Sequence, residues 1–446
     1  MSSPAFDEHM RSLVALAERH MADDHVPGLQ IGVACDDDEA VAVRGIADVT
    51  TGRSVGDMTM FRIASITKTF TATLLVQLAA RGKIGLDDHL RDYVPEFSLR
   101  DRDAADRVTI RNCLLHTGGW IPHLARIADG PDALVEGARS QSVAQQIAPP
   151  GAYFSYNGVG YMVAGRVIEV VTGLPYEEAI RSMLLAPLAM TRTKFTTEAD
   201  DDVAADHTVR SEAAAPLSDP VETRWGHPSG GLRSTASDLL RFAHCHFGET
   251  PVLDESQARA MAQPQQTVPT PWESKALSWF VRDLGAERLL LHLGGAPGQM
   301  SLLALCPRRK FALAVLTNSA AGHVAGRTLL AHALELFLQV REAPEPALIA
   351  LDRAHMAEYR GRYDHMDGDI VVAVDGDALV MRLENKGVYA QRPSPPPTRL
   401  RFWAEDRVVG VEGFAKGQYG DFLRGPRGDV AYFRWSARAR PRVGDA

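Results

Sequence analysis

A serine and a lysine one helical turn apart provide a nucleophile and a base for acyl transfer. The segment Ser65-Ile66-Thr67-Lys68 places the two side chains at positions i and i+3, which share one face of a helix. A serine hydroxyl attacks a carbonyl group when a neighbouring base takes its proton, and a partly buried lysine can be that base. The same spacing also arises from an N-cap serine beside a solvated lysine. The mainly apolar residues 60–64 favour the catalytic interpretation, because they make the helix start a buried one.

A tyrosine on a constrained loop is the second candidate. Residues 150–161 run from a Pro-Gly turn through an aromatic loop into a helix, and Tyr156 lies just before that helix. A tyrosine beside cations can shuttle the proton of a serine nucleophile. The alternative is a tyrosine that packs in the core or at its rim and makes one hydrogen bond.

A histidine and two glycines inside a strand are the third candidate. Glycines weaken a strand and often mark a close approach of a ligand to the backbone, which applies to His292-Leu293-Gly294-Gly295. The N–H groups of Gly295 and Ser65 could then form an oxyanion hole. A structural histidine is the alternative interpretation of His292.

Helices and strands must bring these three segments together. Helical periodicity or composition predicts helices at 6–21, 65–81, 160–171, 237–247 and 324–340, and strands at 29–33, 40–44, 279–281, 289–291, 302–305 and 312–316. Strands thus occupy both ends of the first 340 residues, and helices fill the middle. The pattern predicts an α+β or mixed fold, in which a sheet from both chain ends is flanked by a helical lobe.

The composition of the sequence changes near residue 341, and helical periodicity nearly vanishes beyond it. A Pro- and Glu-rich stretch predicts a linker at 341–350, and short strands with Gly-rich turns follow it, including a hairpin at 370–383 around Asp375-Gly376. We therefore predict three parts: a catalytic domain at 1–340, the linker, and a small all-β barrel or sandwich at 351–446.

Composition narrows the function classes. The 446 residues carry a formal net charge of −8, which argues against nucleic acid as a partner, and no apolar run is long enough to span a membrane. The chain start lacks a signal-peptide pattern, and the cysteines are far apart, so we expect a cytoplasmic protein. His244 and His246 point apart on a helix, so we expect no metal site there. We also expect no cofactor.

The order and spacing of the three motifs resemble the penicillin-recognising serine enzymes, the group of class C β-lactamases, D-alanyl-D-alanine carboxypeptidases and related esterases. The resemblance covers about residues 8–340 and includes the stretches 114–119, 228–235 and 316–319. It implies the α+β fold of that group, with an antiparallel sheet from both chain ends, flanking helices and a helical lobe. It implies that Ser65 is acylated, that Lys68 is its base partner, and that Tyr156 is general base and then general acid. It makes His292-Leu293-Gly294 the counterpart of a K-T-G element. The segment after the linker is similar to the lipocalin-like domain of many such hydrolases.

Two positions depart from the family pattern. Gly158 stands where a Y-x-N asparagine is expected, so Asn157 or a water would have to replace that side chain. His292 replaces a lysine, so a substrate carboxylate would need another cation. One arginine of the C-terminal set, with Arg438 as the candidate, could reach the pocket and bind the carboxylate; a basic solvated tail is an equally good interpretation of this set, which is Arg434, Arg438, Arg440 and Arg442. Trp120 lines the cleft or packs in the core.

Three functions are therefore open. The first is a serine acyl-enzyme hydrolase or acyltransferase for ester, thioester or amide carbonyls of peptide-like acyl groups, in which His292 holds Tyr156 or the substrate; family preference suggests a D-residue. The second is a stand-alone penicillin-binding-protein-type thioesterase that releases and macrocyclises nonribosomal peptides. The third is a non-catalytic homologue that binds peptides. The sequence leaves the oligomeric state open.

Overall fold

The computed structural model describes residues 2–210, 213–217, 223–366, 368–386, 390–391 and 393–444. The α-helices are α1 (Pro4–Asp23), α2 (Thr67–Ala80), α3 (Leu90–Tyr93), α4 (Arg102–Arg107), α5 (Ile110–Leu115), α6 (Ala133–Ser140), α7 (Gly158–Thr172), α8 (Tyr176–Ile180), α9 (His227–Gly230), α10 (Ala236–His246), α11 (Glu255–Ala262), α12 (Gly322–Ala333) and α13 (Arg353–Met356). The strands are β1 (Gly28–Cys35), β2 (Asp38–Asp48), β3 (Arg53–Ser54), β4 (Phe61–Arg62), β5 (Trp120–Ile121), β6 (Gln145–Gln146), β7 (Lys194–Phe195), β8 (His207–Arg210), β9 (Ala213–Pro216), β10 (Leu232–Ser234), β11 (Gln266–Thr267), β12 (Glu273–Lys275), β13 (Phe280–Leu284), β14 (Glu287–Ala296), β15 (Gln299–Cys306), β16 (Phe311–Thr317), β17 (Gly361–Tyr363), β18 (Gly368–Asp375), β19 (Ala378–Asn385), β20 (Thr398–Ala404), β21 (Arg407–Glu412), β22 (Tyr419–Arg424), β23 (Val430–Trp435) and β24 (Arg438–Gly444).

One antiparallel sheet joins both ends of the catalytic part. Its strand order is β11-β12-β13-β14-β15-β16-β1-β2-β3, and β1 pairs with β16 so that Ile31 faces Val315. Helices α1 and α12 pack against one face, and the helical lobe covers the other. A strand covered on both faces reads as a continuous apolar run, as β16 does. The α+β fold expected from the sequence is confirmed.

Helix α2 runs through the centre of the molecule. All its residues from Thr67 to Leu78 are buried, so it has no solvated face. Its threonines are tolerated there because their hydroxyls donate to backbone carbonyls, as Thr69 does to Ile66 (2.7 Å) and Thr73 does to Thr69 (2.8 Å). The helix predicted at 65–81 is thus buried on all sides over most of its length, and Lys68 lies inside the protein.

The eight strands β17–β24 form a closed antiparallel barrel. Closure joins β17 to β24, where Tyr363 pairs with Arg442. Aromatic rings fill the interior, among them Tyr359, Phe422 and Phe433, and the last two stack with their centroids 4.5 Å apart. The predicted all-β barrel is confirmed. Among the described residues, none of the helices has the length and apolar character needed to cross a bilayer.

Candidate active site

Ser65 lies on a single 3-10 turn, Ala64–Ile66, which leads directly into α2. Ala64 has a φ of 41°, a left-handed conformation that is uncommon for a residue other than glycine and is often found at functional sites. The Ile63 carbonyl accepts a hydrogen bond from Ser301 Oγ (3.2 Å), which fixes the turn against the sheet. The 3-10 turn and this hydrogen bond therefore fix the backbone position of Ser65.

Lys68 and Tyr156 both reach the Ser65 hydroxyl. Lys68 Nζ is 3.0 Å from Ser65 Oγ, and Tyr156 Oη is 2.9 Å from it. Lys68 is only 2% exposed, and its Nζ also donates to the Ser229 carbonyl at 2.6 Å. The structure thus brings together the three residues predicted to carry the chemistry, from two segments that are far apart in sequence.

The loop before α7 positions Tyr156. The His116 ring lies against the tyrosine ring, with centroids 4.3 Å apart, and His116 Nδ1 is 2.9 Å from the Asn157 carbonyl. His116 is the left-handed C-cap of α5, so the stretch 114–119 turns back towards the site at this residue. His116 therefore supports the tyrosine from behind.

Strand β14 forms the wall opposite Lys68. A side chain at Gly294 would come within 2.2 Å of the Ile63 carbonyl and 2.1 Å of Ser301 Oγ, so only glycine allows the strand to lie this close to the Ser65 turn. Gly295 lines the same cavity as Ser65, where its N–H can serve as an oxyanion donor. Gly294 therefore has a packing role, and it carries no side chain for substrate binding.

His292 is buried on β14, and its Nδ1 is 2.8 Å from the Leu293 carbonyl. Within the described residues its Nε2 has no hydrogen-bond partner, so a direct bond to Tyr156 is absent, although both residues line one cavity. Burial, followed by the charges of Lys275 and Lys68, holds the pKa of His292 well below its usual range. The ring is therefore neutral and cannot replace a lysine as a cation.

A second lysine, Lys275 on β12, is fully buried near His116 and His292. Its Nζ lies 4.1 Å from the centre of the Phe280 ring and donates to the Ser278 carbonyl. Burial, followed by the charge of Lys68, holds the pKa of Lys275 well below its usual range. Burial likewise lowers the pKa of His116, with a smaller contribution from these two lysines. The motif-based reasoning did not identify Lys275.

Two residues predicted to bind substrate serve the fold instead. Asn157 is the N-cap of α7: its Oδ1 accepts from the Val159 N–H (2.9 Å), and its Nδ2 donates to the Trp120 carbonyl (3.2 Å). Its amide is thus committed and does not contact Lys68. Trp120 is 3% exposed and packs against Phe97 in the core rather than lining the cleft.

The barrel touches the tyrosine loop directly. The Tyr156 N–H donates to the Ala437 carbonyl at 2.7 Å, and the Ala439 N–H donates to Ser155 Oγ at 3.1 Å. The Arg438 guanidinium lies 5.7 Å from the centre of the Tyr156 ring. The C-terminal arginines therefore lie on the ordered strands β23 and β24, not in a solvated tail.

Ser65 and Tyr156 open onto two different cavities. The serine cavity, about 400 Å³, is lined by Ser65, Lys68, Met162, Trp225, Ser229 and Gly295 among others. The interdomain cavity, about 470 Å³, lies between the sheet and the barrel and is lined by Tyr156, Trp272, His292, Leu293, Tyr419 and Arg438 among others. A substrate carbonyl at Ser65 could thus extend one part into each cavity.

Comparison with known proteins identifies the class of protein. The family model described as Beta-lactamase matches residues 13–336, and the chain belongs to this family of serine hydrolases. Penicillin-binding protein 4 of Amycolatopsis lactamdurans is 30% identical over 310 residues, which cover 66% of this chain and 81% of that protein.

Solved structures extend the likeness to the barrel. The crystal structure of SurE has a TM-score of 0.80 and 27% identity and covers 98% of this chain and 100% of its own; the structure of SurE with D-Leu gives 0.80 and 26% with the same coverage. A class C beta-lactamase shares the fold alone, with a TM-score of 0.61, 19% identity and coverage of 72% and 96%. The family resemblance inferred from the motifs is confirmed.

Proposed function

We propose that the protein is a serine acyl-enzyme catalyst that acts on ester, thioester or amide carbonyls of peptide-like acyl groups. One observation carries the proposal: Ser65 Oγ lies within hydrogen-bonding distance of both Lys68 Nζ and Tyr156 Oη, and Ser65 itself lines a cavity. A hydroxyl with two proton-transfer partners and open space beside it has the arrangement that acyl transfer needs.

The chemistry follows from this geometry. Ser65 Oγ bonds to the substrate carbonyl carbon while its proton passes to the Lys68–Tyr156 pair, and the negative oxygen lies between the Ser65 and Gly295 N–H groups. Collapse breaks the bond to the leaving group, which takes a proton from Tyr156. Water or an amine then attacks the acyl-serine, gives up a proton to the same pair, and Ser65 leaves protonated.

The interdomain cavity supports an amine acceptor as the second candidate. Tyr156 faces this cavity, and the barrel closes it on one side, so an acceptor there would meet the acyl-serine in a partly enclosed space. SurE, which matches along the full chain, has been crystallised with D-Leu. We therefore propose a peptide-cyclising thioesterase as the specific form of this activity, for substrates that contain D-residues.

Arg438 is the proposed carboxylate-binding residue of the interdomain cavity. It lines the cavity beside Tyr156, whereas His292 is neutral. A guanidinium suits a carboxylate because its N–H groups can bind both oxygens. A leaving or accepting group that bears a carboxylate would therefore be held close to the proton donor.

The test is the mass of the product. Wild-type protein and Ser65→Ala receive a linear peptidyl thioester with a free N-terminal amine and a C-terminal D-residue. A product lighter than the peptide acid by one water, absent with Ser65→Ala, supports the cyclase; release of the peptide acid supports a hydrolase. Failure of the wild type to release thiol while it still binds the peptide would favour the non-catalytic alternative.

A further inference from the structure

Ser229 contacts the catalytic lysine through its backbone, and its side chain faces the serine cavity. It lies on α9, is 7% exposed, and its carbonyl accepts from Lys68 Nζ at 2.6 Å. Because Lys68 in turn contacts Ser65, only one side chain separates Ser229 from the nucleophile. The residue is therefore within reach of any acyl group attached to Ser65.

The Ser229 hydroxyl occupies space that a side chain at Gly158 would need. A Cβ atom at Gly158 would lie 2.9 Å from Ser229 Oγ, and nothing else outside its own helix turn and chain neighbours lies within 4 Å of that position. The backbone of Gly158 has no left-handed φ, so a side chain there would meet no backbone strain but would require the Ser229 hydroxyl to turn away. The glycine at 158 and the serine at 229 thus form one complementary pair.

The hydroxyl is free to bind a ligand. No hydrogen bond joins Ser229 Oγ to another group in the described part of the chain, although the residue is buried. The neighbouring polar side chain, His227, is already held by Glu177 (2.7 Å) and lies 3.3 Å from Thr197 Oγ1. Ser229 lines the serine cavity, so a ligand bound there can supply the hydrogen bond that its hydroxyl lacks.

We propose that Ser229 binds the amide N–H next to the scissile carbonyl of a peptidyl acyl group. This inference rests on the proposed acyl-enzyme function and narrows its substrate class to acyl groups that carry a secondary amide at the α-carbon. With the carbonyl oxygen between the Ser65 and Gly295 N–H groups, the acyl chain runs into the serine cavity. Its first polar group there is this amide, and Ser229 Oγ is a hydrogen-bond acceptor beside Lys68.

Two thioesters that differ in one atom test the proposal. One is an N-acyl aminoacyl thioester, and the other is the matching depsi compound with an ester oxygen in place of the N–H. We expect Ser229→Ala to lose about tenfold in kcat/KM on the amide substrate, the value of one hydrogen bond, and less than twofold on the depsi substrate. Ser237→Ala, a half-buried serine outside both cavities, is the matched control and should change neither value.

Labelling with a fluorophosphonate, which has no amide, separates two kinds of failure. Equal labelling rates for wild type and Ser229→Ala show that Ser65 and Lys68 remain in place, so an amide-specific loss supports the proposal. An equal loss on both thioesters overturns it, because Ser229 would then act only through Lys68, and so does the absence of any loss. A wild-type protein that is neither labelled nor active contradicts the proposed acyl-enzyme function itself.

Discussion

Ser65 and Tyr156 line two cavities that differ in construction and in charge. The serine cavity is built entirely from the β-lactamase-like part of the chain, and among the described residues that line it Lys68 is the one lysine or arginine. The interdomain cavity is lined by both the sheet and the barrel, and its walls include Glu273, Arg282, Arg327 and Arg438. The protein thus separates a mainly neutral side from a charged side that depends on a second domain.

This difference indicates how the barrel contributes to function. It supplies neither the nucleophile nor its lysine, but it holds the backbone of Tyr156 and adds Arg438 beside its ring. The proton donor and the group that receives the proton therefore lie on the side that the barrel completes. Substitutions in the serine cavity should then change which acyl group the protein accepts. Substitutions in the interdomain cavity should change which leaving group or acceptor it uses.

Loss of the Tyr156 hydroxyl should have the largest effect. Tyr156→Phe removes the proton carrier that faces the interdomain cavity, and we expect kcat to fall by about a thousandfold, within the usual range for a general acid–base residue. Steady-state kinetics with a thioester substrate measure the loss, and an unchanged thermal transition serves as the control for folding. Activity within a few-fold of wild type would mean that proton transfer does not run through this side.

Loss of the buried ion pair that anchors the barrel to the tyrosine loop should have the second-largest effect. Arg434 is 2% exposed; its Nε donates to Asp421 at 2.8 Å, and it also donates to the Phe154 carbonyl at 2.9 Å. Arg434→Met leaves Asp421 as an unpaired buried charge, so we expect the free energy of unfolding to fall by about 3 kcal/mol.

Guanidinium denaturation of Arg434→Met measures this loss. Arg434→Met combined with Asp421→Asn is the matched variant, and it should recover much of the stability because no charge is left unpaired. Its kcat should still be lower than that of the wild type, since the Phe154 carbonyl has lost its barrel partner. Full recovery of kcat would show that this anchor does not position Tyr156.

Arg438 should discriminate between acceptors. Arg438→Gln removes a cation from the interdomain cavity, and we expect a loss of about tenfold in kcat/KM for a leaving or accepting group that bears a free carboxylate. The methyl ester of the same group should be unaffected. Equal losses for acid and ester would assign Arg438 to packing against the Tyr156 ring instead.

Acid should destabilise the folded protein through His292, which lines the interdomain cavity. The ring is neutral in the folded protein because burial, followed by the charges of Lys275 and Lys68, lowers its pKa well below 6.5. The unfolded chain binds a proton near pH 6.5, so this stability is present above that pH and is lost as the pH falls. We expect His292→Leu to remove about 1 kcal/mol of the stability difference between pH 7.5 and 5.5.

His244→Leu is the control for that experiment, because it should change the pH dependence of the stability in the opposite direction. The hydrogen bond that His244 donates to the Glu39 carboxylate raises the pKa of His244, so the stability that this histidine contributes is present below the unfolded pKa and is lost as the pH rises. Removing it should make the protein more sensitive to acid, not less. Denaturation at the two pH values measures both variants, and a His292→Leu protein with the wild-type pH slope would contradict a neutral buried ring.

The sequence predicted the parts of the site that local patterns encode. Ser65 and Lys68 share one turn of a helix, and the aromatic loop with its following helix placed Tyr156, so motif spacing was sufficient. The partners of these residues come from contacts that no local pattern records. Ser229 meets Gly158 only because α9 packs on α7, and Lys275 comes from a different strand of the sheet. Asn157 was misjudged because a helix cap and a ligand contact use the same side-chain amide.

The hairpin turn that holds Tyr156 should show the smallest effect, and one that stabilises the protein. Ser436 and Ala437 connect β23 to β24 with φ values of 49° and 64°, a conformation that usually selects glycine or asparagine. A left-handed residue with a side chain costs about 1–2 kcal/mol, whereas glycine costs about 0.5–1 kcal/mol in chain entropy. Ala437→Gly should therefore raise the free energy of unfolding by about 0.5 kcal/mol. Ala439→Gly, in extended backbone on β24, has no such strain to relieve and should lower it. If both variants lose stability, the left-handed conformation at Ala437 costs less than the chain entropy of glycine, and the turn is not strained.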